Sequence, residues 1–141
     1  MFGTYQQSSL RIEIVASSEQ IAESLTRLEN LRQWMQPQQL YGVTIGTSKA
    51  PLTAGQSFKS AVGISPSVKL EFAQIEHQVE LLSSDGIRFI LSGAIDGFHE
   101  WQWGDGWVQS RLEGVSLLPL NLAQTAGLLR LRQYLQSKET D

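Results

Sequence analysis

The chain has 141 residues, of which 41% are hydrophobic and 18% charged, with a net charge of −3 and a pI of about 5.4. That balance excludes the basic footprint of a nucleic-acid or anionic-membrane binder, and the absence of cysteine excludes disulfides, thiolate catalysis and cysteine-based metal sites. The start of the chain lacks the basic and apolar regions of a signal peptide, and no apolar run nears the ~20 residues of a membrane span. The expectation is a soluble, cytoplasmic protein with no integral membrane segment, forming a single domain over 1–141 with its core at about 9–136.

Residues 1–7 read as a loose tail. From Ser9 to Val15, Leu10, Ile12 and Ile14 alternate with Arg11 and Glu13, the pattern of a half-buried strand. Ser17, with Gln20 three residues on, forms a capping box, and Ile21, Leu25 and Leu28 then share one helical stripe. A break at Glu29-Asn30 separates a second short helix, which carries Leu31, Trp34 and Met35 and stops at Pro37.

From Tyr41 the period is two. Val43 and Ile45 mark a short strand, and residues 55–62 a weaker one. Val68, Leu70 and Phe72 alternate, then Ile75, His77 and Val79 alternate in the opposite phase, which predicts a bulge near Ala73-Gln74. A turn at Ser84-Asp85-Gly86 leads into a strand at 86–94. Asp96-Gly97 reads as a further turn, or Gly97 as a bulge.

The stretch from Ile95 to Val115 holds three of the four tryptophans and one of the two histidines. Asp105-Gly106 lies between two strand-forming runs, a strong signal for a type I′ hairpin turn. That turn pairs Gly104 with Trp107, Trp103 with Val108, and Glu100 with Arg111. Alternation then sorts the side chains. His99, Trp101, Trp103, Val108, Ser110 and Leu112 share an aromatic, apolar face, whereas Phe98, Glu100, Gln102, Gln109, Arg111 and Glu113 share a polar one. The last element is a helix led by Pro119, with Asn121 and Gln124 as a second capping box. Leu128, Leu131 and Leu135 form its apolar stripe to about residue 136. Arg132 falls inside that arc and Arg130 on the opposite side.

The fold class is α+β: about seven antiparallel strands, two short helices after the first strand, and a long C-terminal helix left to cover the sheet. Four segments carry a resemblance to a known superfamily: LRIEIVASSEQIAESL at 10–25, LRQWMQP at 31–37, the Gly-x-x-Phe start at Gly55–Phe58, and GDGWVQSRLEGVSLLPLNLAQTAGLL at 104–129. In this order they resemble the START / polyketide-cyclase / birch-pollen-allergen (SRPBCC) superfamily over nearly the whole chain. One departure is Gly106-Trp107, where relatives often place Gly-Thr. The resemblance implies a helix-grip fold, its curved sheet wrapped around the final helix, with a cavity for an apolar small molecule between them.

The candidate ligand-binding residues are therefore His99, Trp101, Trp103, Ser110 and Leu112 on the hairpin's inner face. Facing them from the helix would be Leu128, Leu131, Arg132 and Leu135. Such residues serve equally as a plain core or as a cavity wall. Arg132 would either run its stem along the surface to water or bind a ligand carboxylate or phosphate at the cavity mouth. His99 is a weak catalytic candidate, since Ser110 shares its face but no carboxylate joins them. No metal or cofactor is expected: the chain has two histidines, no cysteine, no P-loop and no dinucleotide fingerprint. The expected partner is a hydrophobic small molecule (lipid, isoprenoid or polyketide-like), bound or transported without nucleic acid. The alternatives are a cyclase or dehydratase using His99 as acid/base, and a structural or partner-binding domain with a filled core.

Overall fold

The computed structural model describes residues 3–35, 39–41, 50–65 and 68–139. In chain order the elements are β1 (Thr4–Glu13), α1 (Ser18–Thr26), α2 (Leu28–Trp34), β2 (Gln39–Tyr41), β3 (Ser57–Ser65), β4 (Val68–Ser83), β5 (Gly86–Gly93), β6 (Ile95–Gly104), β7 (Trp107–Ser116) and α3 (Leu120–Glu139). Every pairing is antiparallel, in the order β1-β7-β6-β5-β4-β3-β2. Six strands are long, and the seventh, β2, is a three-residue edge strand. The expected strand at Val43 and Ile45 lies outside the described residues. Among the described residues no helix is long and apolar enough to cross a membrane.

The hairpin β6–β7 has the register its turn dictates: Gly104 opposite Trp107, Trp103 opposite Val108, Glu100 opposite Arg111. The turn type differs from expectation. Gly106 takes φ of +83° while Asp105 does not have positive φ, the pattern of a type II rather than a type I′ turn. Tertiary bonds explain the difference. Asp105 Oδ1 accepts from the Ser18 main chain (2.8 Å), Gly106 N donates to Ala16 O (3.0 Å), and Ile14 N donates to Gly106 O (2.9 Å). The turn is therefore clamped to the β1–α1 connection, where Ser17 and Gln20 form the expected capping box.

Several boundaries move. β1 begins at Thr4, inside the stretch that reads as a tail, because its polar residues are held by a ten-residue ladder to β7. The helix break falls at Arg27, in extended conformation and bridged to Pro51, two residues before the expected one. The β5–β6 turn is at Gly93-Ala94, where Gly93 takes φ of +96°; Gly97 lies within β6, directly opposite Gly114. A Cβ on Gly97 would stand only 1.9 Å from Glu113 O, so this glycine permits close strand approach rather than a turn. The phase flip in β4 does accompany an irregular register, with Ala61 opposite Gln74 but Gly63 opposite Lys69.

α3 starts at Leu120, and Asn121 is inside it rather than capping it. The first-turn N–H of Leu120 is satisfied by Gln6 Oε1 from β1 at 3.0 Å. Leu120, Leu128, Leu131 and Leu135 are buried from the helix side, facing Trp101, Trp103, Val108 and Leu112 from the sheet. α1 and α2 close one end of this core with Ile21, Leu25, Leu28, Leu31 and Trp34. On the outer face Glu100 pairs with Arg88 (3.5 Å), its partner across β5–β6, and Arg111 with Glu113 (3.1 Å). Glu100 and Arg111 lie opposite, as the register requires, but each pairs with another charged residue.

Candidate functional site

Between the inner face of the sheet and α3 lies a cavity closed at one end by α2. The centre of a water-sized sphere can move through about 90 Å³ of it. One water needs roughly 10–15 Å³ on that measure, so the space exceeds that of an isolated buried water. Its walls are mostly aromatic and aliphatic. Trp34 from α2 meets Trp101 from β6 edge to face, with ring centroids 6.0 Å apart, and Phe58, Phe89 and Leu112 extend the surface. Trp34 is fixed by its indole N–H, which donates to Ser24 O at 2.8 Å.

The space exists because of what α3 lacks. Ala123, Gly127, Arg130 and Tyr134 share a helical stripe by their spacing, and the first three line the cavity. A Cβ added to Gly127 would meet nothing within 4 Å. Met35, Ala123, Gly127 and Arg130 all retain accessible surface, so the cavity reaches solvent along the seam between α2 and α3. The seam is tied by Tyr134 Oη donating to Asn30 Oδ1 at 3.2 Å.

Two histidines bring polar atoms to these walls. His77 of β4 stacks on Phe58 (4.7 Å between centroids) and its Nε2 lies 2.9 Å from Ser60 Oγ. His99 of β6 packs against Trp101 (4.4 Å) and its Nε2 lies 2.6 Å from Ser110 Oγ. Burial lowers the His77 pKa to about 4, and burial together with the neighbouring His77 lowers that of His99 to about 3. Both rings are neutral at pH 7. Behind His99, Gln124 of α3 is the hub of a buried network. Its Nε2 faces Ser110 O (2.8 Å), Ser110 Oγ (3.0 Å) and Ser8 O (3.1 Å), and its Oε1 accepts from Ser8 Oγ (2.6 Å). Asn121 donates in turn to Ser8 Oγ at 3.0 Å.

The candidates read from the sequence divide accordingly. His99, Trp101 and Leu112 line the cavity. Ser110 is fully buried and supports His99 from behind. Trp103, Leu128, Leu131 and Leu135 are core residues that do not reach the cavity wall. Arg132, half-buried on α3, does not reach it either. Arg130, assigned to the outside on the helical projection, is the arginine at the cavity. The sequence reading also missed His77, Trp34 and Phe58. His77 alternates with buried Ile75 and Val79, which is the signal for its inward orientation. Among the described residues, no three His, Asp or Glu side chains gather as a metal site needs.

No protein-family model matches the sequence, and no curated protein sequence matches it. Solved structures do match its shape. Ginseng major latex-like protein 151 from Panax ginseng superposes with a TM-score of 0.70 at 8% identity, over 96% of this chain and 98% of that one. The Aha1 dimer from Colwellia psychrerythraea gives 0.60 at 16% identity, over 92% and 96%. DynU16, from the dynemicin biosynthetic locus, gives 0.64 at 16% identity over 94% of this chain. The present chain spans about half of DynU16, 48% of its length. Sheet order, the long final helix and these likenesses agree on the fold: the chain has a helix-grip fold, a seven-stranded antiparallel sheet packed on a long C-terminal helix.

Proposed function

We propose that this chain, acting as one domain, binds a hydrophobic small molecule in the cavity between the sheet and α3. The carrying observation is the cavity itself: aromatic walls from α2, β3, β5 and β6 around a space kept open by Ala123 and Gly127. A protein whose interior served stability alone would gain by filling that space, since interiors otherwise pack near crystal density. Its chemistry is that of a binding pocket, mostly apolar with a few oriented polar groups. The likeness to DynU16 and to the latex-like protein supports the same reading. Ligand classes consistent with the walls are isoprenoid, polyketide-like or short lipid.

A second reading, a cyclase or dehydratase with His99 as acid/base, has one observation in its favour, the 2.6 Å contact with Ser110 Oγ. Its pKa of about 3 opposes it. A ring so reluctant to take a proton is a weak base at pH 7 and carries no proton to donate as an acid. Binding is therefore the reading we adopt.

The test is titration with a neutral aromatic probe, 2-naphthalenemethanol, followed by the heat of binding. Saturable change at one site is expected, with Trp101→Ala weakening binding about tenfold by removing one wall. A linear, non-saturating response would exclude the cavity as a site.

A further inference from the structure

Among the described residues, Arg130 is the one arginine, lysine or carboxylate side chain at the cavity wall. Its Nε is buried and has no hydrogen-bond partner, and no ion pair is formed by it among the described residues. Burial lowers its pKa from the ordinary value, but a guanidinium remains cationic at neutral pH. The other polar side chains of the wall each make at least one bond or are neutral. His77 is bonded to Ser60, His99 to Ser110, and Gln124 to Ser8 and Ser110. Arg130 has directional donor capacity left over, and it sits one helical turn from Gly127, where the cavity meets solvent.

Building on the binding reading above, we infer that the ligand is a hydrophobic monocarboxylate, held with its carboxylate on Arg130 at the mouth and its apolar body between Trp34, Trp101 and Phe89. A buried, unpaired guanidinium nitrogen is costly alone, and a carboxylate is the planar acceptor that fits its fork with two parallel bonds. The neutral state of both histidines sharpens the choice. Deep in the cavity there is no positive charge to draw the acid group inward, so the favourable place for it is the mouth. A doubly charged head group would exceed the single cation available. A neutral ligand with no acceptor would leave Arg130 Nε unsatisfied and more thoroughly desolvated than before, and one with a neutral oxygen would accept its N–H without the gain of a charge-assisted pair.

Matched probes separate this inference from the binding reading it rests on. Isothermal titration of the full chain would compare 2-naphthoic acid with 2-naphthalenemethanol, which share the apolar body. At neutral pH the acid is expected to bind at least about tenfold more tightly than the alcohol, as a charge-assisted pair implies. Arg130→Gln should erase that preference, bringing the two probes to about equal affinity, and Arg130→Lys should restore part of it. Equal affinities for acid and alcohol, or an acid preference that survives in Arg130→Gln, would overturn the carboxylate assignment and leave the binding reading standing. Failure of both probes to bind the wild-type chain would overturn both.

Discussion

Lowering the pH from 7 to 5 is expected to move the urea unfolding midpoint sharply down. Unfolded histidine takes a proton near pH 6.5, whereas the folded chain holds His77 and His99 neutral until about 4 and about 3. Between those limits the unfolded state binds more protons than the folded one, so stability falls as pH falls. The contribution is fully present above the unfolded value and is lost progressively below it. By pH 5 the loss is on the order of 2 kcal/mol per ring, a large share of the ~5–15 kcal/mol typical of a domain. His77→Gln and His99→Gln should each flatten the dependence between pH 6.5 and 4, since neither replacement titrates there. Midpoints that coincide at pH 7 and 5 would mean that both rings already accept protons in the folded chain.

Replacing Gln124 with Leu is expected to cost about 2–4 kcal/mol, because it strips partners from several buried groups at once. Gln124 is 3% exposed, and its amide joins the β1 main chain, the β7 main chain and α3. Without it, Ser110 Oγ keeps only its contact with His99, and Ser8 Oγ loses its acceptor. The leucine fits the volume but satisfies none of these atoms. Thermal unfolding of the variant reads the effect, and a change below about 0.5 kcal/mol would show that the network does not hold α3 against β1 and β7. Gln124→Glu is the companion measurement, since it keeps the shape and the acceptor to Ser8 while losing the donor to the two carbonyls.

How much of the fold and site is legible in the amino-acid order depends on which physical signal carries each part. The β6–β7 register follows from Asp105-Gly106 and strict alternation, and those two signals alone place His99, Trp101 and Trp103 inward. Propensity cannot show that β1 begins at Thr4, because Gln6 and Ser8 are polar. They are half-buried for the bonds they make to α3, not for hydrophobicity. The exchange of Arg132 for Arg130 has a similar cause. A hydrophobic projection finds the stripe of Leu128, Leu131 and Leu135 and puts Arg132 within its arc and Arg130 opposite. The side of α3 that faces the cavity is instead marked by Ala123 and Gly127, whose small size leaves the space. Such residues carry almost no weight in a hydrophobic pattern, so a cavity made by missing side chains is hidden from it. Trp34 is visible as the end of a helix pair, but its meeting with Trp101 depends on how α2 docks across the sheet, a tertiary fact.

Gly127 offers the most direct test of the central claim. Gly127→Phe places an aromatic ring where a Cβ now finds only open space, and it removes a residue that weakens helices by up to about 1 kcal/mol. The variant is therefore expected to fold with equal or slightly greater thermal stability. Titration of wild type and variant with 2-naphthalenemethanol then isolates the cavity from the fold. The account predicts saturable binding to wild type and its loss by at least about tenfold in Gly127→Phe. Equal affinity in the two chains would contradict it, placing the ligand somewhere other than between the sheet and α3.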